Sequence, residues 1–282
     1  CYNEKIETMT VEEFEKFLKA AKAKDPSIDP VLFYTKSQAG DQGPRAFVSN
    51  LYNSWITDNG VTKYTINDEN GVKSLTWIKK AYDEGLLGKG VSAEAKDALE
   101  AFRTGKALVT ILYSPGLKGQ DKEAIEKGDV EPIFLPFPNE SGQAKFEFLL
   151  AGAAVFDNGD PAKVAAAQKF VDFIVNDPVW GERSLKATNN FSPTGKTGIY
   201  GDDAEVKYLE SLVGFYGPYY NTVDGFIQMR PLWFNMVQSI LNGQVQWENM
   251  TVDTLLKRYQ LEVTNPAQLA VLRQTLSNLI AE

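Results

Sequence analysis

The stretch AFRTGKALVTILY at residues 101–113 decides the fold, because it joins the end of a helix to a buried strand. Four apolar residues, three just before this stretch and one within it, share one helical face: Ala95, Ala98, Leu99 and Phe102. This spacing predicts a short helix that ends before Gly105. Ala107–Tyr113 is apolar except at Thr110 and lies between two turn signals, which predicts a strand covered on both faces of a sheet.

The residues before this stretch predict further helices and another strand. Thr10-Val11-Glu12-Glu13 has the pattern of a capping box and predicts a helix start. Val31-Leu32-Phe33-Tyr34 predicts a short strand, and a polar loop follows it up to Arg45. A further helix, which Gly85 ends in a left-handed conformation, is predicted from the apolar stripe Val72, Leu75, Ile78 and Tyr82.

The residues after the stretch continue the alternation of strands and helices. Pro132–Pro138 predicts an extended crossover between lobes, and Phe148–Phe156 a second buried strand. Asp160-Pro161 predicts a helix N-terminus. Pro231 opens a predicted helix that Gly243 ends. Strands separated by helices make the fold class α/β.

Composition and charge exclude several classes of function. The 282 residues are 43% hydrophobic and 23% charged, which suffices for one large core or two moderate ones. The net charge is -8 and the basic residues are scattered, so nucleic acid is excluded as a partner. With no histidine and one cysteine, the chain has no internal disulfide, no Ser-His-Asp or Cys-His catalysis and no histidine-rich zinc site. We expect neither a cofactor nor a metal.

The sequence also carries features that bear on membranes. No stretch approaches the roughly 20 apolar residues that cross a bilayer, and the first residues carry no basic-then-apolar export signal. Cys1 is the residue type that carries the lipid of mature bacterial lipoproteins. That interpretation needs a flexible tether, whereas Tyr2-Asn3-Glu4-Lys5 leads almost at once into a predicted helix. An unmodified Cys1 is therefore the favoured interpretation.

Several motifs, in one order along the chain, resemble the extracellular solute-binding proteins of family 1, the family of the maltose-binding protein. The strongest is Ala101–Ala107 followed by Val109, which is similar to the family's A-F-x-x-G-K-A-A-M. Met9–Phe14 resembles T-W-D-E-F, with Val11 where tryptophan is usual. The order continues in Ser74–Leu86, Ala165–Ile174, Asn190–Thr194 and Leu232–Phe234.

The resemblance implies a periplasmic-binding-protein-like type II fold, in which two lobes joined by a hinge close on a ligand. It implies capture of a sugar or oligosaccharide and delivery to the transmembrane subunits of an ABC permease, without enzymatic activity. It also implies a monomer at the extracellular face of the cytoplasmic membrane or in the periplasm, tethered to the membrane surface by a lipid on the full-length precursor.

The start of the chain departs from the family pattern. Family members begin with roughly 110 residues of first-lobe structure, about one domain, which nothing here matches. Tyr2-Asn3 resembles the family's hinge Y-N-K. By this resemblance, residues 1–142 form the first segment of the second lobe, 143–198 a returning segment of the first lobe, and 199–282 the C-terminal helical segment of the second lobe. We expect the chain to carry one wall of the binding cleft and little of the other.

Candidate ligand-binding residues are aromatic faces and planar hydrogen-bonding groups, which suit the C–H patches and hydroxyls of a sugar. The predicted set is Trp233, Tyr113, Tyr34, Asp41, Arg45, Arg230 and Phe234. Trp233 and Phe234 match an aromatic pair that faces the sugar in many family members. Tyr113 ends a predicted strand at the edge of a sheet, and Asp41 with Arg45 can clamp vicinal hydroxyls. The plainer alternatives are a core tryptophan, a packed tyrosine, a solvated loop and, for Arg230, a surface ion pair.

Other functional classes stay open. The same fold can bind a polyamine, an anion or a metal, and a cleft lined by acidic groups or several arginines favours such ligands over sugars. A glycan-active enzyme needs a pair of carboxylates at a defined separation, and no spacing singles out such a pair. A structural glycan-binding module would present a flat surface without a hinge. Asp157-Asn158-Gly159-Asp160 lacks the terminal glutamate of a calcium loop and predicts a turn and helix cap.

Overall fold

The structure is a computed structural model that describes residues 8–36, 40, 42–54, 68–88, 90–113, 115–142, 153–177, 179–180, 183, 211 and 226–243. The chain divides into two compact units. The first unit comprises Cys1–Leu112, Asp129–Phe148 and Phe215–Glu282. The second comprises Tyr113–Gly128 and Leu149–Gly214.

Helices make up most of the described elements in both units. The described elements of the first unit are α1 Val11–Lys24, β1 Asp29–Val31, α2 Gln42–Leu51, α3 Glu69–Asp83, α4 Ala95–Arg103, β2 Ala107–Val109 and α8 Phe226–Leu241. Those of the second unit are α5 Pro115–Gln120, α6 Lys122–Lys127 and α7 Pro161–Asn176. Strands separated by helices confirm the predicted α/β class.

A small parallel sheet organises the first unit. β1 pairs with β2 in a register that places Asp29 opposite Ala107 and Val31 opposite Val109. On its other side, the chain of β1 is hydrogen-bonded to the segment that follows α3. The Val31 amide donates to the Leu86 carbonyl at 3.2 Å, and the Phe33 amide to the Leu87 carbonyl at 3.0 Å. The extended chain from β1 therefore has backbone partners on both edges.

Local capping signals set the helix ends where the sequence predicts them. The Thr10 hydroxyl accepts from the Glu13 amide at 3.1 Å, and the Glu13 carboxylate accepts from the Thr10 amide at 2.8 Å, which completes the capping box. Gly85 follows α3 with φ 73°. At the start of α7, the Asp160 carboxylate accepts from the Ala162 amide at 3.0 Å. These caps satisfy backbone groups that a helix end leaves unpaired.

The core of the first unit lies among its helices and the chain from β1. Its fully buried side chains include Leu18, Val48, Leu51, Leu75, Ile78, Trp233, Val237 and Ile240. Aromatic rings join the elements, since Phe47 of α2 lies 6.3 Å from Phe14 of α1 and 6.4 Å from Trp77 of α3. Each such side chain contributes about 1.5–3 kcal/mol by burial. The core therefore holds α1, α2, α3 and α8 together.

The predicted strands differ from the observed ones. β1 covers Asp29–Val31 rather than Val31–Tyr34, and β2 ends at Val109 rather than Tyr113. The prediction that β2 is covered on both faces is wrong, because the side chain of Leu108 is 43% exposed. Successive side chains alternate between the two faces of a strand, so Leu108 lies on the face opposite buried Ala107.

Two further predictions meet different outcomes. The predicted helix from Pro231 instead begins at Phe226, and Pro231 lies inside α8. An internal proline removes one helical hydrogen bond, and the burial of Trp233 and Val237 offsets that cost. The end of this helix is confirmed, since Gly243 has φ 68°. Pro132–Pro138 contains no helix or strand, in agreement with an extended segment.

The second unit has a different character. No residue of α7 is buried, and the rings of Phe170 and Phe173 are 62% and 48% exposed. Phe173 stacks on Trp180 at 5.9 Å. Of the predicted strand at 148–156, residues 148–152 lie outside the described part. Residues 153–156 form no strand, and Phe156 is 84% exposed.

Candidate functional site

The candidate site is built on the extended chain that continues β1, Leu32–Lys36, which we call the β1 edge. The Thr35 amide and hydroxyl both donate to the Gly90 carbonyl at 3.0 Å. The Lys36 amide donates to the Ala93 carbonyl at 3.1 Å. Since these bonds fix the backbone, the side chains of the β1 edge have defined positions at the carboxyl end of the strand. This is where open α/β sheets place their ligand contacts.

Tyr34 is buried on the β1 edge. It belongs to a small apolar cluster with Ala93 and Ala98, against which Leu112 also packs. The first turn of α2 approaches it closely, because a Cβ added at Gly43 would lie 3.3 Å from the Cε1 atom of the Tyr34 ring. Glycine at this position therefore lets α2 pack on the ring.

Arg45 lies in the first turn of α2, two residues after Gly43, and its side chain is buried. A buried guanidinium presents several donors in a fixed plane, the geometry that suits carboxylates, phosphates and paired hydroxyls. Tyr34 and Arg45 thus lie on neighbouring elements, although Arg45 belongs to α2 and not to the polar loop that the sequence predicts. The side chains of both are held in the interior.

α8 supplies the other predicted residues of the first unit. The ring of Trp233 is fully buried in the core, in the same cluster as Val31 and Phe33. Its plainer interpretation as a core tryptophan describes this arrangement, and a direct role in binding stays a prediction. Phe234 and Arg230 on the same helix are half-buried. They are the predicted residues of α8 whose side chains are partly exposed.

A hydrogen bond joins α8 to the β1 edge. The side-chain amide of Gln238 donates from Nε2 to the Thr35 carbonyl at 2.7 Å. Thr35 itself is fully buried. Tyr34 is the neighbour of Thr35 in the chain, and Phe234 lies one helical turn from Gln238. Two residues that the sequence assigns to one site thus lie close to the two partners of this hydrogen bond.

One predicted residue, Tyr113, lies elsewhere. Tyr113 belongs to the second unit, where its hydroxyl donates to the Asp121 carboxylate at 2.9 Å. Asp41 lies outside the described residues. The structure therefore gathers Tyr34, Arg45, Arg230, Trp233 and Phe234 in one unit.

Sequence reasoning missed Thr35 and Gln238. They lie 203 positions apart, so no local pattern links them. A weak signal exists, because Gln238 follows Phe234 by one helical turn and is a polar residue beside the apolar stripe that includes Val237. Such a polar residue needs a partner when its helix packs on another element.

The chemistry of this arrangement is that of recognition. Aromatic rings and guanidinium groups at the end of a sheet can hold a neutral polar or anionic molecule by stacking and hydrogen bonds. Within the described ranges, no group of three histidine, cysteine, aspartate or glutamate side chains is arranged to hold a metal ion. Over the same ranges, every helix is too short or too polar to span a membrane.

Comparison with protein families decides the relationship. The family of bacterial extracellular solute-binding proteins matches residues 2–179, well over half of the chain. The chain belongs to this family. The resemblance carried by the motif at Ala101–Ala107 is thereby confirmed. A search of curated proteins finds no match to this solute-binding protein.

Solved structures confirm the fold. A solute-binding protein of an ABC transporter from Thermotoga lettingae, bound with α-D-tagatose, matches with a TM-score of 0.66 at 14% identity over 91% of this chain and 64% of its own. A second solute-binding protein, from Agrobacterium radiobacter in complex with ribitol, matches with a TM-score of 0.64 at 18% identity over 91% of this chain and 64% of its own. A sugar transporter protein from Bacillus licheniformis, in complex with stachyose, matches with a TM-score of 0.61 at 16% identity over 90% of this chain and 67% of its own.

These likenesses establish the periplasmic-binding-protein-like type II fold that the sequence predicts. They are too distant in sequence to carry more than the fold. The solute-binding protein described here spans about two thirds of the length of these solved structures.

Proposed function

We propose that this solute-binding protein captures a sugar or oligosaccharide for an ABC importer. The proposal is carried by two half-buried side chains on α8, Phe234 and Arg230. The same helix is hydrogen-bonded to the β1 edge through Gln238. An aromatic face and a planar cation suit the C–H patches and hydroxyls of a sugar. In this proposal Tyr34, Arg45 and Trp233 form the buried support beneath the ligand.

Calorimetry of the full 282-residue chain tests the proposal. The panel is ribitol, D-tagatose and stachyose, extended to other mono- to tetrasaccharides. For the sugar that binds, Phe234→Ala weakens affinity roughly 2- to 10-fold, the loss expected of one aromatic contact. Phe173→Ala, which removes a half-exposed ring from α7 in the second unit, is the matched control and leaves affinity unchanged. Absence of heat with every sugar would remove the carbohydrate from the proposal.

An anionic solute is the second candidate ligand. Arg45 is buried in the first turn of α2 and Arg230 is half-buried on α8, so the first unit carries two guanidinium groups among the predicted site residues. Bidentate pairing with a carboxylate or phosphate is the interaction that arginine makes best. Titration with inorganic phosphate and citrate separates this candidate from the sugar, because Arg230→Gln then costs far more affinity than Phe234→Ala.

We propose that the protein acts by binding rather than by turnover. Its family consists of solute-binding proteins, and no spacing in its sequence singles out a catalytic pair of carboxylates. We further propose delivery of the solute to a membrane permease from the extracellular or periplasmic side. Incubation with each sugar of the panel, followed by chromatography for hydrolysis products, tests the first statement. Products formed at a rate proportional to protein concentration would contradict it.

The lobe assignment is also a proposal. We propose that residues 143–198 belong to the first lobe, with the exposed aromatic face of α7 packing within that lobe. Support comes from α7 itself, which lies in the second compact unit and has no buried residue. The dye ANS, which binds exposed apolar surface, tests whether this face is open in the 282-residue chain. Phe170→Gln should reduce dye binding, and equal binding by this variant would contradict the proposal.

A further inference from the structure

The peptide of Thr35 is enclosed on several sides. Its amide donates to the Gly90 carbonyl at 3.0 Å, its side-chain hydroxyl donates to the same carbonyl at 3.0 Å, and its own carbonyl accepts from Gln238 at 2.7 Å. Thr35 has no exposed surface. Three segments far apart in sequence, the β1 edge, the residues after α3 and α8, therefore meet at one peptide group.

Gly40 approaches the same peptide group closely. A Cβ added at Gly40 would lie 2.3 Å from the Thr35 carbonyl oxygen and 2.8 Å from the Lys36 amide nitrogen. Distances of this size leave no room for a side chain. Gly40 therefore lies against the carbonyl that Gln238 holds, and only glycine fits at that point of contact.

The bond to Thr35 also fixes α8. Together with the burial of Trp233, Val237 and Ile240 in the core, this hydrogen bond restrains the position and the rotation of α8 at the β1 edge. Phe234 precedes Gln238 by one helical turn and shares its side of the helix. Its half-buried ring is thus placed relative to Tyr34, the neighbour of Thr35 in the chain.

We propose that Gln238 is a positioning residue for ligand binding. By donating to the Thr35 carbonyl, it holds the ring of Phe234 at the β1 edge in the position that the ligand meets. This inference rests on the proposed function, in which Phe234 contacts the ligand. Gln238 itself touches the backbone of the β1 edge and acts on the ligand through Phe234.

Gln238→Met tests the inference, because methionine keeps the length of the side chain and loses the donor. The net value of one hydrogen bond corresponds to an affinity loss of about 2- to 12-fold if it is expressed fully in binding. We expect a loss in this range for the sugar that binds the wild type, measured by calorimetry. Gln238→Lys returns a donor at similar reach and should restore most of the affinity, which a merely space-filling role would not predict.

Ser239→Ala is the matched control, since its hydroxyl donates to the Asn235 carbonyl within α8 at 2.9 Å and makes no link to the β1 edge. This control should bind as the wild type does. Wild-type affinity in Gln238→Met, or the same loss in Gln238→Lys as in Gln238→Met, would overturn the inference while leaving the proposed function intact.

Hydrogen exchange separates failure of the inference from failure of the proposed function. In Gln238→Met, the amides of Thr35 and Lys36 should exchange faster, while those of α1 keep their wild-type rates. If the wild type binds no sugar, the proposed function fails and the claim on affinity fails with it, whatever the exchange shows. If the wild type binds and these two amides keep their rates in Gln238→Met, the bond does not hold the β1 edge and the inference alone is overturned.

A double-mutant cycle with Gly40→Ala gives an independent check. The added methyl group must displace the Thr35 carbonyl, so the Gln238 bond is already weakened in that variant. The loss of affinity in Gly40→Ala/Gln238→Met should therefore be smaller than the product of the two single losses. Losses that multiply would show that the two residues act separately, which contradicts a shared carbonyl.

Discussion

α3 and α7 are helices of nearly equal length, 15 and 16 residues, that the sequence predicts with similar ease. Both start at an aspartate that accepts backbone hydrogen bonds, Asp68 for α3 and Asp160 for α7. α3 packs against α2 and α8 and buries Leu75, Trp77 and Ile78, whereas α7 buries nothing. The pair shows that caps and apolar spacing determine where a helix forms, while its contribution to stability depends on the elements that cover it.

The largest expected difference is in the response to losing an apolar side chain. Leu75→Ala removes a fully buried side chain of α3 and should lower the free energy of unfolding by about 2–5 kcal/mol. Phe170→Ala removes a larger side chain from α7, but one that is 62% exposed, and should cost less than about 1 kcal/mol. Urea denaturation followed by circular dichroism measures both. Equal losses would mean that α7 is covered as well as α3.

The same contrast explains how much of the fold the sequence could predict. The helix starts at Thr10 and Asp160 and the helix ends at Gly85 and Gly105 were predictable, because each depends on a few neighbouring residues. The strand lengths were not, because β1 and β2 end where their pairing with each other ends, at Val31 and Val109. The exposure of Leu108 could not be read from an apolar run either, since periodicity does not reveal which face a distant element covers.

For the candidate site, the residue types were predictable and their burial was not. Tyr34, Arg45 and Trp233 were selected as an aromatic ring, a guanidinium and a family-like tryptophan, and all three side chains are buried. Thr35 and Gln238 went unrecognised because their bond spans 203 positions. A single sequence carries no signal for such a pair, whereas the neighbouring apolar stripe of α8 is visible from helical spacing alone.

The helix caps sharpen the comparison at a smaller scale. Thr10→Ala removes the cap of α1, whose Phe14 and Leu18 are buried, and should lower the free energy of unfolding of the first unit by about 1 kcal/mol. Asp160→Ala removes an equivalent cap from α7. Because no side chain of α7 is buried, this second loss should appear as faster amide exchange in α7 and leave the main urea transition in place.

Serine and asparagine substitutions provide the controls for both caps. Thr10→Ser and Asp160→Asn keep a capping oxygen and should behave as the wild type does. A shift of the main transition by Asp160→Ala equal to that caused by Thr10→Ala would show that the two units unfold together, and would remove the distinction between the two helices.

The smallest expected effect concerns the ion pairs that link α1 to α3. Among the described ion pairs, none links α7 to another helix. Hydrogen bonds from Lys19 at 2.6 Å and from Lys80 at 2.7 Å lower the pKa of Glu15 from 4.5 to about 2. Lys80 belongs to α3, so the pair with Glu15 joins two elements, whereas Lys163 and Asp160 pair locally at the start of α7 at 3.6 Å. Ionised Glu15 therefore favours the packing of α1 on α3.

The sign of the pH dependence follows from this lowered pKa. Because the folded protein holds Glu15 ionised more strongly than the unfolded chain does, the stabilisation is complete above about pH 4.5 and is lost as pH falls towards 2. Both lysines are about half exposed, so solvent and salt reduce the effect to about 1 kcal/mol or less.

Glu15→Gln keeps an acceptor for the Trp77 indole, whose Nε1 lies 3.1 Å from the carboxylate. Urea titrations of this variant should show a weaker pH dependence between pH 2 and 4.5 than the wild type shows. An unchanged slope in Glu15→Gln would mean that the packing of α1 on α3 relies on apolar burial alone. The contrast between Leu75 and Phe170 already attributes the larger part of the stabilisation to such burial.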